Sequence, residues 1–280
     1  MLTLSDEHSW QSFFQSDILQ VISVSLFFLV TLAAVLRRES KLYPVAALVS
    51  LAVVLLAPLV REMDHSALPI WVQPYLTMRV KSQFPLFPWS AFLISGAIVG
   101  YLFIRSREEK RERTFMSRLG FLVIGGIFLS LLMELLPLTV YPNHDFWQAS
   151  PEFFFVRFGI IILITVGLWR IETAQNDLEK DPSTFPKVRK SFLLLFGQES
   201  LLVYYVHLLL VYGDSFKWSF SRQFGPNLNY RECLGLFVVL LLAMYLLAFG
   251  WHTLKLKNKK VSEVVQYAVL AGIVLQFILR

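Results

Sequence analysis

The polar side chains with the most chemical reach are concentrated in one apolar stretch, Gly197-Gln198-Glu199-Ser200-Leu201-Leu202-Val203-Tyr204-Tyr205-Val206-His207. Ser200, Tyr204 and His207 recur at i, i+4 and i+7, which puts them on one stripe of a helix. Glu199 falls roughly 80° from His207 around the same axis. Ionisable groups inside a bilayer are costly, roughly 2.5–3.5 kcal/mol for Asp, Lys or Arg at mid-helix on insertion scales. Glu199 and His207 must therefore face protein or water and have partners. A histidine in such a place could serve as general base, proton carrier or transient acyl acceptor. The plainer alternative is a buried polar network that fixes helix packing. His207, Glu199, Ser200 and Tyr204 are the candidate catalytic residues.

Two further sets could touch a substrate. Glu134 and Arg157 fall near the outer ends of consecutive apolar runs, at similar depth, where an ion pair could line a cavity and bind substrate; the alternatives are snorkelling side chains or a structural pair. Residues 105–118 carry six basic and three acidic side chains. They read first as a topology determinant facing anionic lipid. A sharper reading has Arg105, Arg107 and Arg111 holding an anionic cytoplasmic cofactor such as the phosphates of coenzyme A. The pairs Asp64-His65 and His144-Asp145 are weaker candidates for a polar substrate. No Walker-type loop, HExxH or dinucleotide fingerprint occurs, which argues against ATP hydrolysis and zinc proteolysis. The single cysteine, Cys233, leaves no structural disulfide and no Cys-based metal cluster, and no bound metal is expected.

These residues need apolar elements to carry them. The chain has 280 residues, 56% hydrophobic and only 16% charged, with 25 Phe, against roughly 25% charged in an ordinary soluble domain. Mean hydropathy is +0.57. Eight runs reach the roughly 20 apolar residues that a bilayer core of about 30 Å requires: 18–36, 43–60, 87–104, 119–138, 153–169, 191–212, 233–251 and 261–279. The last is the weakest, with Glu263 and Gln266 in its first turns. The expectation is an all-α polytopic integral membrane helical bundle of about eight transmembrane helices, one transmembrane domain with no soluble one. The net charge of +6 sits in short loops, so the expected partner is the lipid bilayer and not nucleic acid. Of the 26 Lys and Arg, eighteen fall in the connections after the first, third, fifth and seventh runs and seven in the opposite set, with Arg157 inside a run. This positive-inside bias makes the eighteen cytoplasmic and both termini extracytoplasmic. Trp89, Trp147, Trp169 and Trp251 near run ends agree, as an aromatic belt would. Short loops and the lack of a targeting segment suggest a bacterial inner membrane.

Residues 1–17 are polar and acidic, without Lys, Arg or a cleavage site, so they are not a signal peptide. A chain beginning outside the membrane asks for an odd number of preceding helices, with residues 1–17 as the loop after them. Insertion of the first run with its N-terminus outward, or an inverted topology, are the alternatives. Two packing devices stand out. Pro88 falls in the first turn of a run, where no helix hydrogen bond is lost, and Gly96 and Gly100 form a GxxxG pair, which lets a neighbouring helix approach closely. Ser150-Pro151-Glu152 reads as a helix start, with Ser150 as N-cap.

Four segments carry a resemblance. Ser16-Asp17-Ile18-Leu19-Gln20-Val21-Ile22 resembles the DxLQxI helix start of a group of bacterial membrane proteins. That group is related to the catalytic domain of heparan-alpha-glucosaminide N-acetyltransferase, within the transmembrane acyltransferase superfamily. Phe84–Trp89 followed by Gly96 and Gly100 is similar to the group's FPLFPW…G…G element. Ser150–Gly159, SPEFFFVRFG, fits in place and pattern. Gly197–His207 with Tyr212-Gly213 looks like its GxxSLLVYxxH…YG helix. The resemblance implies transfer of an acyl group, acetyl by expectation, from cytoplasmic acyl-CoA to an extracytoplasmic glycan or sugar. Acyl-CoA would be a donor substrate and no cofactor would be permanently bound. His207 and Ser200 match the family's late helix and not its principal catalytic histidine, which would precede residue 16 together with a charged first helix. The chain on its own could thus be inactive, completed by a separate N-terminal fragment, or assembled as a homo-oligomer.

On this reading His207 assists the acceptor, Ser200 and Tyr204 orient it, and Glu199 tunes or relays protons. Glu134 and Arg157 meet the substrate, and Arg105, Arg107 and Arg111 hold the CoA phosphates. A proton-coupled transporter built on Glu199, His207, Glu134 and Arg157 is the rival; it predicts inverted repeats, and the polar pattern of 191–212 has no counterpart in the first four runs. A non-catalytic membrane subunit is the third possibility, and acyl-CoA binding separates them.

Overall fold

The computed structural model describes residues 16–78, 82–136, 146–147, 149–179, 192–212, 220–224 and 228–278. His144, Asp145, Gly213 and the first fifteen residues of the acidic opening lie outside the described residues. Regular structure among the described residues is entirely helical, in two compact units, Met1–Thr184 and Phe185–Arg280.

The first unit holds α1 (Ile18–Leu36), α2 (Glu39–Glu62), the single turn α3 (Gln73–Leu76), α4 (Leu86–Glu108), α5 (Glu112–Leu135) and α6 (Pro151–Glu179). The second holds α7 (Phe192–Gln198), α8 (Ser200–Tyr212), α9 (Phe220–Phe224), α10 (Tyr230–Lys257) and α11 (Lys259–Ile278). Among the described residues six helices are long and apolar enough to cross a membrane: α1, α2, α4, α5, α6 and α10. The protein is a polytopic helical membrane protein. The two remaining expected spans are the α7–α8 pair and the 20-residue α11.

Helix ends differ from the apolar runs in a consistent way. The runs 43–60, 87–104, 153–169 and 233–251 become longer helices, because polar residues continue helical backbone beyond the last apolar turn. The run 119–138 begins seven residues earlier, at Glu112, and stops at Leu135. Leu136 is extended (φ −80°, ψ 139°), as a residue preceding proline must be. What reads as a loop from 105 to 118 is a tight turn between α4 and α5. Lys110 takes the left-handed conformation (φ 57°); its N–H donates to Arg107 O (3.0 Å), and that of Arg111 to Ser106 O (2.7 Å). These two bonds are the Schellman pattern, with Lys110 where glycine is usual.

Small residues bring the first unit together. Ala46, Ser50, Val54 and Ala57 bury one stripe of α2. Ser50 and Ser95 share a hydrogen bond at 2.7 Å, and the Ser50 hydroxyl also reaches Ala91 O at 3.3 Å. Val54, Ala91 and Phe154 form one core cluster, joining α2, α4 and α6. Met116, Ile162 and Val166 form a second, joining α5 and α6. The GxxxG expectation is corrected here: a methyl at Gly96 or Gly100 would meet nothing within 4 Å. The close approach is at Gly159, where a Cβ would lie 2.7 Å from Ile127 Cγ1, so α6 presses its backbone onto α5.

Candidate functional site

In the first unit three of the four motifs converge. The Asp17 N–H donates to Gln20 Oε1 at 3.2 Å, completing a capping box at the start of α1; the Asp and Gln of DxLQxI are a helix-start device. Ser16, fully buried, donates its hydroxyl to Phe84 O (3.0 Å) and accepts from the Phe84 N–H (3.4 Å) and the Ser82 hydroxyl (3.1 Å). The first motif is thereby tied to the second. Phe87 is extended (φ −97°, ψ 115°) before a cis bond to Pro88, and regular helix runs on from there. The Trp89 ring then lies against Phe84 (4.9 Å, edge-on) and Phe92 (5.6 Å). The third motif begins as expected: the Phe153 N–H donates to Ser150 Oγ at 3.1 Å, with Pro151 opening α6.

Arg157, two turns into α6, lays its guanidinium 3.8 Å from the centre of the Phe153 ring and 5.5 Å from that of Trp89. Aromatic faces stabilise a cation without neutralising it. Glu134 lies in the last turn of α5, and the partners that the structure gives Arg157 are rings. Arg157 and Trp89 border a cavity of about 610 Å³ between α1, α4 and α6.

At the α4–α5 turn, Arg105 pairs with Glu109 (3.3 Å), Arg107 with Glu112 (3.8 Å) and Arg111 with Glu109 (3.9 Å). All are solvent-facing, so each pair is weak and replaceable by a stronger anion. Arg107, Lys110, Arg111 and Arg113 line a cavity of about 310 Å³ with Glu112 and Thr114. Arg105 stands outside that set. Asp64 closes its own turn, accepting from the Ser66 N–H (3.0 Å) and hydroxyl (2.9 Å), and His65 is buried.

In the second unit the expected continuous helix over 191–212 is interrupted at Glu199, between α7 and α8. The Glu199 N–H still reaches Leu195 O (3.1 Å), and the Val203 N–H still reaches Glu199 O (3.0 Å), so the ladder persists through the break. The carboxylate is 4% exposed. Lys255 Nζ lies 2.5 Å from Oε1 and 2.7 Å from Oε2, and His252 Nδ1 lies 3.2 Å from Oε1. Neither partner is among the candidates the sequence offers, because Lys255 falls in the basic connection after the seventh apolar run. The signal was present: His252 and Lys255 stand i, i+3 on one helix face, and a buried carboxylate needs a cation.

His207 bonds within its own helix: its Nδ1 is 3.0 Å from Val203 O. A carbonyl only accepts, so Nδ1 carries a proton, and in the neutral ring Nε2 is the atom with the lone pair. The Tyr204 ring stands edge-on at 5.5 Å. Ser200 is two turns away, about 10 Å along the axis, and Glu199 about 12 Å. The structure thus brings His207 and Tyr204 together, and places Glu199 with Lys255 and His252.

Residues 8–132 match the family model described as heparan-alpha-glucosaminide N-acetyltransferase, catalytic. The resemblance drawn from the motifs is borne out over that stretch, which contains the first two of them. The third and fourth motifs, 150–159 and 197–213, lie beyond it. No curated protein and no solved structure matches the chain.

Proposed function

We propose that the protein is a membrane acyltransferase-like protein that moves an acyl group, acetyl by preference, from cytoplasmic acyl-CoA to a hydroxyl or amine of an extracytoplasmic glycan or sugar. The observation that carries this reading is the family match over residues 8–132, whose two motifs are joined by the Ser16–Phe84 hydrogen bonds. Arg107 and Arg111, with Arg105 at the rim, hold the CoA phosphates, exchanging exposed carboxylate partners for a more highly charged anion.

His207 acts on the acceptor. Its Nε2 takes the proton as the acceptor oxygen or nitrogen attacks the thioester carbonyl carbon, and the C–S bond breaks as the C–O or C–N bond forms. The proton passes to the departing CoA thiolate, so the imidazole returns to neutral. Tyr204 limits ring rotation and Ser200 orients the acceptor further along the stripe. Glu199 tunes this helix from the junction of α7 and α8, where Lys255 and His252 hold it. Arg157 and Glu134 meet the glycan. The membrane is a bacterial inner membrane, with the α4–α5 turn cytoplasmic.

The test is equilibrium dialysis of radiolabelled acetyl-CoA against the full chain in detergent, with circular dichroism and size exclusion confirming fold. Saturable binding, weakened at least tenfold in Arg107→Gln/Arg111→Gln, is the expected result. A folded protein that retains no acetyl-CoA overturns the reading.

A further inference from the structure

The cavity between α1, α4 and α6 has a composition that, Arg157 apart, the acyl-transfer reading does not use. Its volume is about 610 Å³ and its wall is almost wholly apolar, with Val21, Ile22, Phe92, Leu93, Ile160 and Ile161 on it. Ser25 is polar, but its hydroxyl donates to Val21 O at 2.7 Å. The chemistry is at one end. The Arg157 guanidinium is stacked on Phe153 and Trp89, and no carboxylate pairs with it among the ion pairs of the described residues. The Trp89 indole Nε1, on the ring that faces this guanidinium, is buried and has no hydrogen-bond partner among the described residues. Both are donors without acceptor capacity, and a buried donor left unpaired is costly.

Their depth is ordered as well. The starts of α1 and α4 are tied by Ser16 and Phe84, and Arg157 in the second turn of α6 stacks on Trp89 in the first turns of α4. The polar end of the cavity is therefore where three helices begin, at the membrane interface. Ile160 and Ile161, further along α6, and Ile22 and Ser25, further along α1, lie deeper. A cation and an N–H donor at the interface, with an apolar slot running inward, are complementary to one kind of molecule.

We infer that this cavity is a binding site for an anionic lipid, its phosphate on Arg157 and the Trp89 N–H and one hydrocarbon chain along Ile22, Phe92 and Ile161. The site shares Arg157 with the proposed acceptor side, and lipid retention is read without any acyl transfer. A phosphodiester supplies the acceptor oxygens and the negative charge that both donors lack, and a chain in the slot removes apolar wall from water or from looser lipid contact.

Native mass spectrometry of the full chain in neutral detergent tests this. Dioleoylphosphatidylglycerol is offered against dioleoylphosphatidylcholine, whose chains are identical and whose head has no net charge. One phosphatidylglycerol is expected to be retained with at least tenfold preference. Arg157→Gln should abolish that preference, Trp89→Phe should reduce it severalfold, and millimolar inorganic phosphate should fail to displace the lipid. Arg157 also packs against two rings, so Ile22→Trp, which fills the slot and leaves the donors alone, gives a second reading: retention of the lipid should fall at least tenfold. Equal retention of the two lipids, a preference unchanged in Arg157→Gln, or retention unaffected by Ile22→Trp overturns the inference. Displacement by inorganic phosphate assigns the site to a free anion and overturns it likewise.

Discussion

Glu199 shows how one buried charge dictates its surroundings. With 4% of the residue exposed, its carboxylate would be uncompensated without Lys255, and breaking such a pair from one side costs about 3–5 kcal/mol. Lys255 is itself partly solvated and His252 stays in contact, so Lys255→Met should cost about 3 kcal/mol. The double variant Glu199→Gln/Lys255→Met removes both charges and should cost much less than the two single changes added together, as urea unfolding in micelles would measure. His207 is a different case, because its Nδ1 bond to Val203 O orients the ring. His207→Gln should leave acetyl-CoA binding unchanged while lowering transfer by about 10²–10⁴-fold, the usual worth of a general base. Loss of binding along with transfer would mark His207 as structural.

Among the elements, helix contacts are decided by where backbones meet. The Gly159 Cα lies so close to Ile127 that any Cβ must displace it, so Gly159→Ala should destabilise by about 1–3 kcal/mol. Gly159→Ala with Ile127→Ala should recover part of that, while Gly96→Ala and Gly100→Ala should leave the melting temperature unchanged. The α4–α5 turn tests the converse. Lys110 bears the strain of a left-handed residue with a side chain, so Lys110→Gly should raise stability by about 1 kcal/mol. Thermal unfolding followed by circular dichroism reads all of these variants. The elements themselves were largely legible: the first run, 18–36, coincides with α1, and Ser150 caps α6 as its sequence suggests. Apolar runs miss helix ends because polar turns outside the bilayer keep helical backbone.

For the molecule as a whole, the proposed orientation rests on eighteen basic residues in one set of connections against seven in the other. Cys233, exposed near the start of α10, should react with a membrane-impermeant maleimide in intact cells. In a Cys233→Ser background, Lys110→Cys should react only after permeabilisation. The reverse pattern would invert the topology. Composition and periodicity by themselves determined an all-helical membrane protein and the approximate place of its helices, because bilayer insertion and helix capping depend on local sequence. Only the tertiary structure decided which residues meet. It set Ser16 against Phe84, Arg157 over Trp89 and Phe153, and Glu199 between His252 and Lys255. The physical reason is that a polar group in an apolar helix declares its need for a partner through its own chemistry. Which partner satisfies it depends on the rotation, depth and approach of separate helices, and those follow from packing across the fold.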